Sequence, residues 1–277
     1  MRMKKFFFIL FGVLLLLSCK KEQGLGKLNV VAANFPLYDF AREVGGTLVN
    51  VKALSTSYYS EPSLQDIIAI QNADIFLSIC KESDEWTILD FSENEEHNPN
   101  ECDNHKDKYD EHIWTNPMNA ISMVKKIAEI FGKKDTANKR LYVTRAAEYV
   151  VNLIALDSAF SAVTQNKKRK TMVFGDCFPF KHFAEEYDLE YYSAFPDCFR
   201  KTEPSIATVA FLIDKLKTEN IPVIFHIEFS DESVANAISQ ATGSKKMLFH
   251  SIRNVNDTNE SYLNLMRKNV DALEAAL

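Results

Sequence analysis

The side chains in this sequence that can hold a metal ion or move a proton are few, and most stand where an apolar run ends. His112 lies in Tyr109-Asp110-Glu111-His112-Ile113-Trp114, directly before a helical pattern that starts at Pro117. A neutral imidazole flanked by carboxylates suits a divalent metal, because a neighbouring acid fixes the ring tautomer and raises its basicity. His250 closes Leu248-Phe249-His250-Ser251, either facing a cleft or packed in the core. Asp176 and Cys177 follow Met172-Val173-Phe174, where a carboxylate either ligates or caps the next helix. His226 and Glu228 flank Ile227 and share one face of a strand, since side chains alternate there; Glu228 is the nearer to the cleft. His182 reads as a surface helix residue. A further group, His97, Cys102 and His105, falls in the acidic, Asn-rich stretch Ser92–Glu111. That stretch is either a solvated charge run or a loop that collects metal near the real site. The sequence has no GxSxG elbow, P-loop or GxGxxG, so hydrolase-elbow and nucleotide chemistries lack their devices.

Positioning these residues calls for alternating strands and helices. Apolar runs at Leu28–Ala33, Leu48–Leu54, Asp74–Ile79, Thr171–Phe174, Leu189–Ala194, Pro222–Ile227 and Lys246–His250 read as strands buried on both faces. Helical patterns lie between them, at Leu37–Val44, Pro62–Gln71, Pro117–Phe131, Lys181–Tyr187, Glu203–Leu216, Ser230–Ala241 and Glu260–Ala276. Strictly alternating elements imply parallel sheets with ligands at the strands' C-terminal ends. Pro62 and Pro117 fit a first helical turn, and Ser230 with Asp231 read as caps. Thr136–Gln165 lacks Pro and Gly and keeps helical apolar spacing, long enough to reach roughly 45 Å. It ends in Lys167-Lys168-Arg169-Lys170, cations suited to a helix C-terminus. The expected fold is α/β, with two βα lobes joined by a long backbone helix and a site in the cleft between them.

The 277 residues carry 32 basic and 38 acidic side chains, a net charge of -6. A net-acidic chain without a basic stripe argues against nucleic acid. Arg2, Lys4 and Lys5 precede the apolar run Phe6–Leu17, too short to cross a bilayer as a helix and therefore a targeting segment. It ends Leu16-Leu17-Ser18-Cys19, which resembles a bacterial lipobox with Cys19 as the acylated residue. Residues 1–18 are then signal peptide, 19–135 a first lobe that includes the acidic loop 92–111, 136–166 the linking helix and 167–277 a second lobe. The remaining cysteines, Cys80, Cys102, Cys177 and Cys198, form no CxxC; in an exported chain Cys177–Cys198 is the pair to test first.

With these residues in place, the chain resembles the zinc/manganese solute-binding lipoproteins of bacterial ABC transporters, the TroA-like cluster A-I family. The segments that carry the resemblance are Val30–Gly46, Glu61–Leu77, Asp110–Glu129, Phe180–Phe195 and Tyr262–Leu277. It implies capture of Zn2+, with Mn2+ as the alternative, by four side chains, two from each lobe. The second family histidine falls on His112. The first falls on Tyr58, a departure, since a phenol is a poor zinc ligand unless the metal ionises it. The third falls on Asp176 or, one residue on, Cys177, and the fourth best matches His250. The implied partners are an ABC permease, the metal and a membrane reached through the lipid on Cys19, with the chain acting as a monomer. Two rivals stand beside capture: a degenerate lipoprotein serving as an adhesion or scaffold module, for which Tyr58 speaks, and a metal-dependent hydrolase, for which no general base is well placed.

Overall fold

The computed structural model describes residues 26–54, 63–82, 85–90, 110–196, 198, 204–257 and 259–277. Cys19, Tyr58, His97, Cys102 and His105 lie outside the described residues.

The first sheet has the order β2-β1-β3-β4, built from β1 (Leu28–Ala32), β2 (Val49–Ala53), β3 (Ile75–Glu82) and β4 (Glu85–Asp90). Both β2 and β3 pair parallel with β1, as alternating elements require, whereas β4 folds back antiparallel on β3. That hairpin departs from the all-parallel expectation. Its strand sits beside the acidic stretch and lacks the long apolar run by which a doubly buried strand is read. Helix α1 (Phe35–Gly45) is started by Asn34, whose side-chain oxygen accepts the Leu37 N–H at 3.1 Å, with proline in its first turn. Helix α2 (Leu64–Gln71) opens on a capping box, Ser63 with Asp66.

The middle of the chain forms α3 (Pro117–Lys134) and α4 (Lys139–Gln165), the long helix foreseen from the absence of breakers. Tyr142, Ala146, Tyr149, Leu153, Leu156, Phe160 and Thr164 recur every three or four residues along α4 and are all buried, one stripe against both lobes. The second sheet, β6-β5-β7-β8, is wholly parallel: β5 (Thr171–Phe174), β6 (Glu190–Ser193), β7 (Val223–His226) and β8 (Lys245–Leu248). Its helices are α5 (Lys181–Glu186), α6 (Ile206–Thr218), α7 (Ser233–Thr242) and the closing α8 (Tyr262–Ala276). The basic run after α4 serves other ends than its own. Lys168 and Arg169 donate backbone N–H groups to the Leu277 carbonyl, and Lys167 reaches the carbonyls of Tyr187 and Asp188.

One apolar cluster runs continuously through both sheets and the long helix, while a smaller one, including Val173, Leu212, Ile224 and Ile238, fills the far face of the second sheet. Polar bonds stitch the seam. The Trp114 indole donates to the Ser251 carbonyl at 2.8 Å, and the fully buried Tyr262 hydroxyl donates to the Trp114 carbonyl at 2.6 Å. Asp39, also fully buried, accepts the Tyr262 N–H at 2.8 Å and pairs with Arg42. Burial pushes the Asp39 carboxyl upward, against the pull of Tyr262 and Arg42. The last helix thus crosses back onto the first lobe, and the two lobes share a core.

Candidate metal centre

Each sheet's connections reverse between β1 and β3 and between β5 and β7, and sheets of this kind bind ligands beyond the strands' C-terminal ends at such points. His112 is the residue that leads into a short turn, Ile113–Thr115. It is only 2 % exposed. Its Nδ1 contacts Asp110 Oδ1, and its own N–H donates to the same oxygen at 3.0 Å. The Trp114 ring meets the imidazole edge-on, centroids 5.1 Å apart. A carboxylate at Nδ1 fixes the tautomer and orientation of the ring, the arrangement in which acids orient metal-binding histidines. Burial would raise the Asp110 pKa, but the hydrogen bonds and charge of His112, with His182 nearby, outweigh it and hold the carboxyl below its ordinary value. His182, expected at the surface, has Nε2 2.9 Å from the Asp110 carbonyl, and the Lys181 N–H donates to Asp110 Oδ2 at 3.3 Å. Helix α5 of the second lobe therefore braces the loop that carries His112.

The second lobe's predicted ligands have other employment. Asp176 ends β5 and is 5 % exposed. Its Oδ2 accepts the Ile227 N–H at 2.9 Å and the Ser230 hydroxyl at 2.8 Å, tying the ends of β5 and β7 together. Burial pushes its pKa up, against those two donors and the nearby His226. Ser230, read as a helix cap, is consumed by this bond, whereas Asp231 does accept the Ser233 N–H of the first turn of α7. His250 follows β8, its backbone N–H and carbonyl both bonded to the Asn269 side chain on α8. Burial, with Lys268 and His226, lowers its pKa to about 4 against the pull of Glu260, which favours a neutral ring.

Among the described residues no group of three or more His, Cys, Asp or Glu is gathered to hold a metal ion. The expected trio of His112, Asp176 and His250 does not form such a group. Asp176 holds its two donors through Oδ2, and His250 is tied to α8 through its backbone. The Cys177 alternative is closed off as well, because Cys177 is disulfide-bonded to Cys198 across 21 positions, the pair singled out from the sequence.

Two residues with decisive roles were missed or misplaced. Glu228, expected nearer to the cleft than His226, accepts the Ser251 and Ile252 N–H groups at 2.8 and 2.6 Å and the Ser251 hydroxyl at 2.9 Å. Burial raises its pKa against these donors. Arg253, which no motif flagged, contacts the Glu111 carboxylate beside His112. Its only signal in the sequence is a lone cation a few residues after the last strand.

A family model described as "ZnuA: Zinc-uptake complex component A periplasmic" matches residues 30–276. The chain belongs to this family. Zinc-binding lipoprotein AdcA of Streptococcus pneumoniae is 27% identical over 94% of this chain, and the chain spans 58% of that relative's length. The high-affinity zinc uptake system protein ZnuA of Bacillus subtilis is 26% identical over 91% of this chain and 88% of its own. Among solved structures, the Zn(II)-bound ZnuA-like domain of S. pneumoniae AdcA aligns at TM-score 0.70 and 27% identity, covering 91% of this chain and 99% of that domain. The metal-dependent lipoprotein YcdH of B. subtilis aligns at TM-score 0.73 and 27% identity, over 91% of this chain and 100% of that one. The two-lobe α/β fold with its long helix is the fold of these neighbours.

Proposed function

We propose that this family member captures Zn2+ outside the cytoplasm and hands it to the permease of an ABC importer, working by binding and not by catalysis. The observation that carries the reading is His112, buried with its ring set by Asp110, whose loop is braced by the second lobe. Zinc accepts such a nitrogen with oxygen or nitrogen partners, and more oxygen would tilt the site toward Mn2+. Tyr58 is the proposed first-lobe partner, with Asp176 and His250 as second-lobe donors. The segment holding His97, Cys102 and His105 is proposed to concentrate cations nearby, aided by the net charge of -6. A lipid on Cys19 would tether the chain as a monomer to the membrane that holds the permease.

A second reading has a specific observation behind it. The lack of a three-donor group among the described residues, the locked Cys177 and the cation on Glu111 favour a lipoprotein that has lost high-affinity metal and acts as a scaffold or adhesion module. Elemental analysis of the purified chain, followed by calorimetric titration with zinc and manganese, separates the two. Tight stoichiometric zinc, weakened by His112→Ala, establishes capture. A parent chain whose thermal stability and heat signal ignore added metal establishes the second reading, because a ligand bound only by the folded state must stabilise it.

A further inference from the structure

We propose that Arg253 is a built-in cation that sets the affinity of the His112 site for its divalent cargo. This deepens the capture reading and rests on it. Glu111 precedes His112 in the chain, and its Oε1 meets Arg253 Nη1, both atoms buried although the side chains are 36% and 20% exposed. The loop that delivers Arg253 is fixed from both lobes. Glu228 holds the N–H groups of Ser251 and Ile252. The Ser251 carbonyl takes the Trp114 indole at 2.8 Å, and the Arg253 carbonyl takes the Phe35 N–H at 3.1 Å. Ile252 adopts a left-handed φ of 65° within this clamp, a conformation a β-branched residue holds only where its surroundings impose it. The guanidinium is therefore installed against Glu111, the residue that precedes His112, by bonds that do not involve its own charge.

Two consequences follow from elementary electrostatics. Arginine keeps its charge at any physiological pH, and in a partly buried seam its repulsion of a dication is weakly screened. It also engages Glu111, the carboxylate next to His112 in the chain. Both effects lower zinc affinity, and both disappear when the charge is removed.

The test is a zinc competition titration against a chromogenic chelator on the full chain, comparing the parent with Arg253→Gln, Arg253→Lys and the neutral pair Glu111→Gln/Arg253→Gln. Arg253→Gln is expected to bind zinc at least about tenfold tighter. Arg253→Lys, which keeps the charge, should stay within about twofold of the parent. The neutral pair leaves no unpaired carboxylate, so it reports on a folded chain if Arg253→Gln unfolds, and it too should bind tighter. Equal or weaker binding by the neutral pair and by a folded Arg253→Gln overturns the proposal, as does tighter binding by Arg253→Lys equal to that of Arg253→Gln. A parent that binds zinc while neither neutral variant gains sinks this inference and leaves capture standing. A parent that binds none while Arg253→Gln binds supports the inference and sinks capture, and zinc ignored by every chain sinks both.

Discussion

Breaking the Cys177–Cys198 disulfide by Cys177→Ser/Cys198→Ser should cost about 3 kcal/mol of stability. The bond closes 21 residues of chain, and the entropy that such a loop removes from the unfolded ensemble is worth about 3.3 kcal/mol at 25 °C. Both cysteines are buried, at 9% and 8% exposure, and they pin the segment after β5 to the one after β6. Two serine hydroxyls left at these positions add a small further penalty. For a chain of this size the loss corresponds to a fall in melting temperature of about 6–12 °C. Equilibrium urea unfolding of the oxidised parent, the parent reduced with a dithiol, and the double variant reads the effect. The reduced parent and the variant should agree within about 1 kcal/mol, and both should show a larger denaturant slope than the oxidised chain, whose unfolded state is more compact. A variant as stable as the oxidised parent refutes the reasoning. So does a loss confined to the variant and absent on reduction, which would place the cost in the serines and not in the cross-link.

Asp110→Asn keeps the shape beside His112 and removes the charge that orients the ring. Zinc affinity measured by competition titration should fall about 10–100-fold, with little change in fold by circular dichroism. Tyr262→Phe removes the hydroxyl that bonds the Trp114 carbonyl at the buried seam, and should cost about 1–2 kcal/mol in urea unfolding, since an acceptor is left unsatisfied. In the metal-free chain, His250 titrates near 4 when folded and near 6.5 when unfolded, so its neutral form supports the fold above about pH 6.5. That support is lost as pH falls from about 6.5 to 4, because the unfolded chain takes up the proton first. Discounted for partial solvent screening, the loss is about 1–2 kcal/mol. Unfolding free energies across that window should show the parent losing this amount relative to His250→Gln as the pH falls, and a difference that stays constant would disprove the assignment.

The sequence alone settled the succession of elements apart from β4, because it depends on patterns that survive in one dimension. Doubly buried strands such as Thr171–Phe174 read as unbroken apolar runs, Pro117 marks the first turn of α3, and α4 shows itself by lacking any breaker over its length. His112 was equally legible, since its orienting acid, Asp110, is two residues away. What the sequence could not reveal was how the carboxylates are used. Asp176, Glu228 and Asp39 look alike as acids near apolar runs, yet each is bonded to backbone N–H groups brought to it by distant parts of the chain, at Ile227, at Ser251 and Ile252, and at Tyr262. A buried carboxylate is claimed by whatever donors the fold places against it, and those partners have no local signature. The same holds for Arg253, whose meeting with Glu111 exists only because the second lobe's last loop is clamped across the first. Periodicity thus carried most of the fold, while tertiary structure decided which donors each buried carboxylate meets.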